Sequence, residues 1–165
     1  MVREGLDRIG NNIFIEDMGT ADLPAILEIE RASFTTPWSE TSFFNEVKKQ
    51  RSFLKVAKKG GRVVGYICGG WIIDEGHVLD LAVHPEYRRL GIASALVSLG
   101  IERLKEEDCR FVFLEVRASN EFAKTMYEKF GFEVLGTRKN YYVSPAEDAV
   151  IMVLKFAGER VLPFR

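Results

Sequence analysis

Leu79-Asp-Leu-Ala-Val-His-Pro-Glu-Tyr-Arg-Arg-Leu-Gly-Ile-Ala93 is the stretch whose reading decides the fold. An apolar strand runs into a loop that holds two adjacent arginines, Arg88 and Arg89. Gly91 then opens a helix in which Ile92, Leu96, Leu99 and Leu104 recur at helical spacing. This order of parts builds an anion site. The first N–H groups of a helix lack a backbone partner and carry the positive end of its dipole. Gly91 lets a ligand approach the backbone, and the arginines add charge and planar donors. A polyphosphate suits such a cradle, made of Arg88, Arg89, Gly91, Ile92, Ala93 and Ser94. The plainer alternative is an exposed helix start with two solvated arginines.

Outward from this stretch, the pattern alternates strands and helices. Asn12 to Glu16 reads as a strand. A helix follows over about Leu23–Ser33, with Thr20 or Asp22 as its cap and Pro24 in its first turn. A second helix is expected from Thr36-Pro37 to about Lys48. Phe53–Ala57 and Val63–Trp71 are β-rich and joined by Lys58-Lys-Gly-Gly61, a hairpin signal; Gly69-Gly70 reads as a strand irregularity. His77–Val83 is a strand, Ile92–Glu107 a helix, Phe111–Val116 a strand and Asn120–Phe130 a helix with Gly131 behind it. Phe132–Tyr142 and Asp148–Phe156 read as a closing hairpin. Strand, helix and strand across His77 to Val116 imply a parallel pair inside a mostly antiparallel sheet.

Composition narrows the classes. The chain has 165 residues and is 47% hydrophobic, enough for one domain that buries about two-thirds of its unfolded surface. Its 23 basic and 24 acidic residues nearly cancel, which argues against general nucleic-acid binding. No apolar run approaches the roughly 20 residues of a membrane span, and Met1 to Asp7 lacks a signal-peptide core. Cys68 and Cys109 sit among apolar, strand-like neighbours and read as buried free thiols, so a reducing cytoplasm is expected. His77 and His84 have no metal-ligand spacing with either cysteine, so no metal is expected, and His84 reads as a surface residue.

The familiar phosphate loops are absent. The chain has neither G-x-x-x-x-G-K-S/T nor a G-x-G-x-x-G between strand and helix. What stands instead is Arg88-Arg89-Leu90-Gly91-Ile92-Ala93, an Arg/Gln-x-x-Gly-x-Gly/Ala pattern. Downstream come Leu114-Glu-Val-Arg-Ala-Ser-Asn120, Ala123, Tyr127-Glu-Lys-Phe-Gly-Phe132, Arg138-Lys-Asn-Tyr-Tyr142 and Glu147-Asp-Ala-Val-Ile-Met152. Upstream stands Phe34-Thr-Thr-Pro-Trp-Ser39. Taken together these motifs resemble the RimI-type protein N-terminal acetyltransferases of the GNAT superfamily, over roughly residues 12 to 156.

The resemblance implies an α+β, three-layer α/β/α fold: a mixed, mostly antiparallel, twisted sheet with helices on both faces, in one domain over 1–165. It implies acetyl-CoA as cosubstrate, held at the pyrophosphate by Arg88, Arg89, Leu90, Gly91, Ile92, Ala93 and Ser94. The backbone of Leu81, Ala82 and Val83 would pair with the pantetheine arm, and the Val83 N–H would face the thioester oxygen. The acceptor would be the α-amine of a protein N-terminus, such as a ribosomal protein or nascent chain, and the enzyme a cytoplasmic monomer or homodimer without nucleic-acid or membrane partners. Acetylation of lysine or a small amine, and a non-catalytic acyl-CoA-binding regulator, are the alternatives.

The catalytic candidates can also be weighed as residues. Glu115 lies among the apolar residues Phe111 to Val116, a costly place for a carboxylate unless it is paired or useful. It reads as the general base, or as half of an ion pair with Arg117 on the same strand face. His77, which alternates with Leu79 and Leu81, is the rival base, or a solvated residue near a strand start. Asn120 and Tyr127 are two helical turns apart on one face, off the apolar stripe Phe122, Met126 and Phe130. Asn120 reads as a helix cap or, by resemblance, a contact to the cofactor arm. Tyr127 reads as a packing residue or, by resemblance, the acid that protonates the departing thiolate and touches the cofactor. Phe34, Trp38, Tyr141 and Tyr142 would flank the acceptor, or anchor the core.

Overall fold

The computed structural model describes residues 7–10 and 12–156; the segments Met1 to Leu6 and 157–165 lie outside the described residues. The elements run β1 (Asp7–Gly10), β2 (Ile13–Asp17), α1 (Leu23–Ser33), α2 (Glu40–Lys48), β3 (Ser52–Lys59), β4 (Arg62–Ile72), β5 (Glu75–Val83), α3 (Ile92–Glu106), β6 (Phe111–Arg117), α4 (Glu121–Lys129), β7 (Glu133–Val143) and β8 (Ala146–Lys155). They form one sheet of order β1-β2-β3-β4-β5-β6-β8-β7, with helices on both faces. β5 and β6 are parallel, as the strand–helix–strand order requires, and β6–β8 and β8–β7 are antiparallel. The β5–β6 ladder runs Glu75↔Phe111, Gly76↔Val112, His77↔Phe113, while β5 itself continues to Val83.

The expected elements are present, with three differences. β1 precedes the strand predicted at Asn12 to Glu16 and pairs antiparallel with it. The second helix begins at Glu40 rather than Thr36, because Ser39 caps it: its Oγ accepts the Ser42 N–H at 3.1 Å. Neither Thr20 nor Asp22 caps α1 with its side chain. Both belong to a short 3-10 turn in front of α1, and Asp22 Oδ2 accepts the Gly19 N–H at 2.8 Å. The β3–β4 hairpin turns at Gly60 and Gly61, with φ of 58° and 79°, a region open to glycine at little cost. Gly69 and Gly70 lie buried inside the continuous strand β4.

Two compact units divide the chain. One comprises the chain through Gly69 with Asp80–Gly100, the other Gly70–Leu79 with the chain from Ile101. The first packs Ile26 and Ile29 of α1 and Phe43 of α2 against Val56, Tyr66 and Cys68 of the sheet. Gly65 matters here: a Cβ on it would lie 3.1 Å from Ile92 Cγ2 and 3.2 Å from Ala82 O, so the first residue of α3 seats directly on β4. In the second unit Gly76 plays the same part, since a Cβ there would lie 2.8 Å from Leu104 Cδ1. Both cysteines are buried and free. Burial and neighbouring acids push the Cys68 thiol well above its ordinary range, which makes it inert as a nucleophile.

Candidate active site

In the first unit the loop after β5 is fixed from both ends. The His84 N–H donates to Val64 O at 2.8 Å. Its ring caps the 3-10 turn Pro85–Tyr87, with Nδ1 accepting the Glu86 N–H at 3.1 Å, and its Nε2 lies 3.4 Å from Arg62 Nη2. His84 is therefore a surface residue, as expected, but a half-buried one that caps a turn. The extended conformation imposed by Pro85 sets its ring over the Glu86 N–H. Arg88 folds back, its Nε donating to Val83 O at 3.3 Å.

Arg89 and Gly91 then both take left-handed backbone conformations, with φ of 64° and 80°. A Cβ on Gly91 would meet nothing within 4 Å, so glycine is needed here for its backbone and not for want of room. A non-glycine residue held at positive φ is uncommon, and such residues gather at ligand sites. The first internal bond of α3 joins the Ala95 N–H to Gly91 O at 3.1 Å, so the N–H groups of Ile92, Ala93 and Ser94 precede its ladder. Two arginines and a helix N-terminus meet in one turn of chain, the chemistry of a pyrophosphate cradle. Leu90 is exposed beside it, and Leu81, Ala82 and Val83 end β5 half-buried or buried.

The first unit also holds Phe34 and Trp38. Phe34 ends α1 and is 38% exposed; Trp38 is half-buried against the core, its ring 5.1 Å from that of Phe43. The Trp38 N–H donates to Glu30 Oε1 at 3.0 Å.

In the second unit Glu115 stands on β6 with Arg138 of β7, Oε1 to Nε 3.6 Å. The neighbouring Glu115 holds the Tyr141 phenol above its ordinary range. Arg117, weighed above as the partner of Glu115, binds Glu147 Oε2 at 3.3 Å and Pro145 O at 3.2 Å, and lies 4.2 Å over the Tyr142 ring. Burial, then Glu115, pushes the Tyr142 phenol up as well. His77 is half-buried beside Phe113, ring centroids 5.8 Å apart. Burial lowers its pKa against the opposing pull of Glu75 and Glu115, so the imidazole is neutral at pH 7.

Asn120 caps α4, Oδ1 accepting the Ala123 N–H at 3.1 Å. Tyr127 is only 6% exposed and meets Phe132 edge-on at 5.4 Å. The buried face of α4 is Met126 with Tyr127; Phe122, expected in that stripe, is 74% exposed in the first turn. Among the described residues no group of three or more His, Cys, Asp or Glu could hold a metal, and no helix is long and apolar enough to cross a membrane.

Three residues escaped the sequence reading: Glu30 and Asp80, both buried, and Tyr66, which donates to Glu30. The signal was available. Asp80 stands among the apolar residues of Val78 to Val83 much as Glu115 stands in its strand, and Glu30 follows Ile29 on the apolar face of a helix.

Residues 23–132 match the acetyltransferase (GNAT) family. A Bacillus subtilis relative, provisionally named a ribosomal protein bS18-alanine N-acetyltransferase, is 40% identical over 140 residues, 84% of this chain and 92% of its own. The ribosomal protein bS18-alanine N-acetyltransferase of Escherichia coli is 35% identical over 143 residues, 85% of this chain and 95% of its own. The crystal structure of the Escherichia coli ribosomal-protein-S18-alanine N-acetyltransferase superposes with a TM-score of 0.80 at 34% identity, covering 91% of this chain and 99% of that one.

Proposed function

Since the chain belongs to the acetyltransferase (GNAT) family, we propose that it transfers an acetyl group from acetyl-CoA to the N-terminal α-amine of a protein, and that residues 1–165 form one domain for this work. The observation that supports the reading is the passage from β5 into α3, where Arg88, Arg89, the left-handed Gly91 and the leading N–H groups of α3 follow one another, a setting that suits a pyrophosphate. The choice of acceptor is supported by relatives named for the α-amine of a ribosomal protein. A ribosomal protein is accordingly the first acceptor to test, and it makes the cytoplasm the place of action.

In this reading the pantetheine arm lies along Leu81, Ala82 and Val83, in the part of β5 beyond its registered ladder with β6. The Val83 N–H stabilises the oxyanion. Asn120, while capping α4, binds the cofactor arm through its remaining amide hydrogens. An α-amine titrates near 8, so a mild base suffices. Glu115, presented by Arg138 and Tyr141, takes the proton, directly or through water; His77 is the second candidate, neutral at pH 7 and so able to accept one. The amine attacks the thioester carbon and the carbon–sulfur bond breaks. The departing thiolate takes a proton from Tyr127, and the products are the N-acetyl peptide and CoA. Phe34, Trp38, Tyr141 and Tyr142 contact the first acceptor residues.

The test is mass spectrometry of a peptide library with varied first residues after incubation with acetyl-CoA, alongside the same peptides blocked at the N-terminus and carrying lysine. Acetylation of free α-amines in preference to blocked lysine peptides is expected. Preference for the lysine peptides would replace the acceptor while leaving the acetyltransferase. CoA binding without release of CoA to any amine would favour a regulator.

A further inference from the structure

The segment from Phe34 to Trp38 joins α1 to α2 without helical bonds of its own, yet it is closed into a circuit. At one end the Phe34 N–H donates to Glu30 O at 3.0 Å. At the other the Trp38 N–H donates to Glu30 Oε1 at 3.0 Å. The Trp38 ring meets Phe43 at 5.1 Å, Phe43 meets Tyr66 edge-on at 5.7 Å, and the Tyr66 hydroxyl donates to Glu30 Oε2. The circuit thus begins and ends on one residue, from its backbone carbonyl to its carboxylate, and Glu30 is 1% exposed. A buried carboxylate is expensive unless donors surround it, and an apolar side chain of the same volume often serves stability better. What such a group supplies instead is orientation.

We propose that Glu30 is a positioning residue for the acceptor: its buried carboxylate gathers donors from the loop and the sheet, and so fixes Trp38 and the wall that reads the first residue of the incoming peptide. This rests on the N-terminal acetyltransferase reading above. Asp80 of β5 completes the device. It is 8% exposed, and its Oδ2 is buried without a hydrogen-bond partner among the described residues. Two neighbouring buried carboxylates do not both ionise. Burial, then the neighbouring Glu30, pushes Asp80 up to about 9, so at neutral pH it stays protonated beside Glu30. The other titratable groups facing the pair are Tyr66 and Cys68, with Glu46 and Lys49 acting on Cys68 from beyond. Burial and the two acids hold Tyr66 far above the phenol range, so it remains a donor throughout.

The test compares Glu30→Gln, Tyr66→Phe and Asp80→Asn for peptide KM, first-residue preference and acetyl-CoA affinity. Glutamine turns its NH2 toward a donor, so Glu30→Gln is expected to raise peptide KM about tenfold, as for one charge-assisted hydrogen bond, and to blur first-residue preference while acetyl-CoA affinity holds. Tyr66→Phe keeps the ring and removes one donor; it is expected to shift KM the same way by a smaller factor, and it serves if Glu30→Gln does not fold. Asp80→Asn keeps a neutral side chain of the same size beside Glu30, so KM is expected near wild type at neutral pH, whereas wild-type KM is expected to rise as pH passes about 9 and that of Asp80→Asn is not. Unchanged peptide KM and preference in both Glu30→Gln and Tyr66→Phe, with only a lower melting temperature, would overturn the proposal. A second readout needs no acceptor: on a Trp71→Phe background, Trp38 emission should shift in Glu30→Gln. If wild type acetylates no α-amine, the functional reading fails, and this emission still decides whether Glu30 positions Trp38; an unmoved spectrum overturns that too.

Discussion

Glu115 on β6 and Arg138 on β7 meet at 3.6 Å across the intervening strand β8. The proposed base thus has a cation beside it, and it holds the Tyr141 phenol above its ordinary range. Glu115→Gln keeps size and removes basicity. It is expected to lower kcat/KM by roughly 10²–10⁴-fold, the usual range for general catalysis, and to shift or erase the acidic limb of the pH–rate profile at unchanged acetyl-CoA affinity. His77→Ala provides the contrast. If that variant loses the limb and Glu115→Gln keeps it, the base is His77, whose pKa is already lowered by burial.

Replacing Arg88 and Arg89 together by Ala should weaken acetyl-CoA binding and flatten its dependence on salt, because ionic screening acts on the phosphate pairing. A pantetheine thioester without the pyrophosphate should bind both proteins nearly alike. Titration calorimetry with cofactor and truncated analogue at two ionic strengths checks this. Equal losses for both ligands would remove the arginines from the cradle.

Tyr127→Phe preserves the edge-on contact with Phe132 and removes only the hydroxyl. A lower kcat is expected with acetyl-CoA, and a smaller defect with a thioester whose thiol is more acidic, since that thiolate leaves without a proton. A defect independent of the leaving group would assign Tyr127 to packing.

Ile73 offers a prediction about stability alone. It lies between β4 and β5 with φ of 55° and is 79% exposed, so a β-branched side chain is held at positive φ with little burial in return. Ile73→Asn should relieve about 1 kcal/mol of left-handed strain and raise the melting temperature by a few degrees, with kinetics unchanged.

Asp80 gives stability a pH dependence with a definite sign. Its carboxyl ionises at about 9 in the folded protein and at an ordinary 3.8 when unfolded. The unfolded chain therefore releases the proton first as pH rises. The stability held below pH 3.8 is lost progressively up to about 9. Chemical denaturation of wild type and Asp80→Asn across that window should show a steeper decline in wild type; parallel curves would contradict a protonated Asp80.

Much of this was legible in the chain. Alternation and helical spacing marked the strands and helices, and Gly91 marked the start of the helix after β5, though not its left-handed backbone. The bounds of α2 were misplaced because Thr36-Pro37 resembles a helix start as closely as Ser39 does. Side-chain partners were the harder part. Strand periodicity offered Arg117 to Glu115, whereas Arg138 comes from a strand reached only through β8. Glu30, Tyr66 and Asp80 come from three elements far apart in sequence, so no local spacing could join them.

Arg117 closes the account of the β7–β8 tip. It binds Glu147 and Pro145 O and covers the Tyr142 ring, so one side chain of β6 holds three residues of the hairpin tip. The tip is in consequence a module with a plug. Exchanging this turn for that of a relative means transplanting it together with its socket, residues 139–148 and position 117 as one cassette. A graft of the turn alone would arrive without the bolt that aims it.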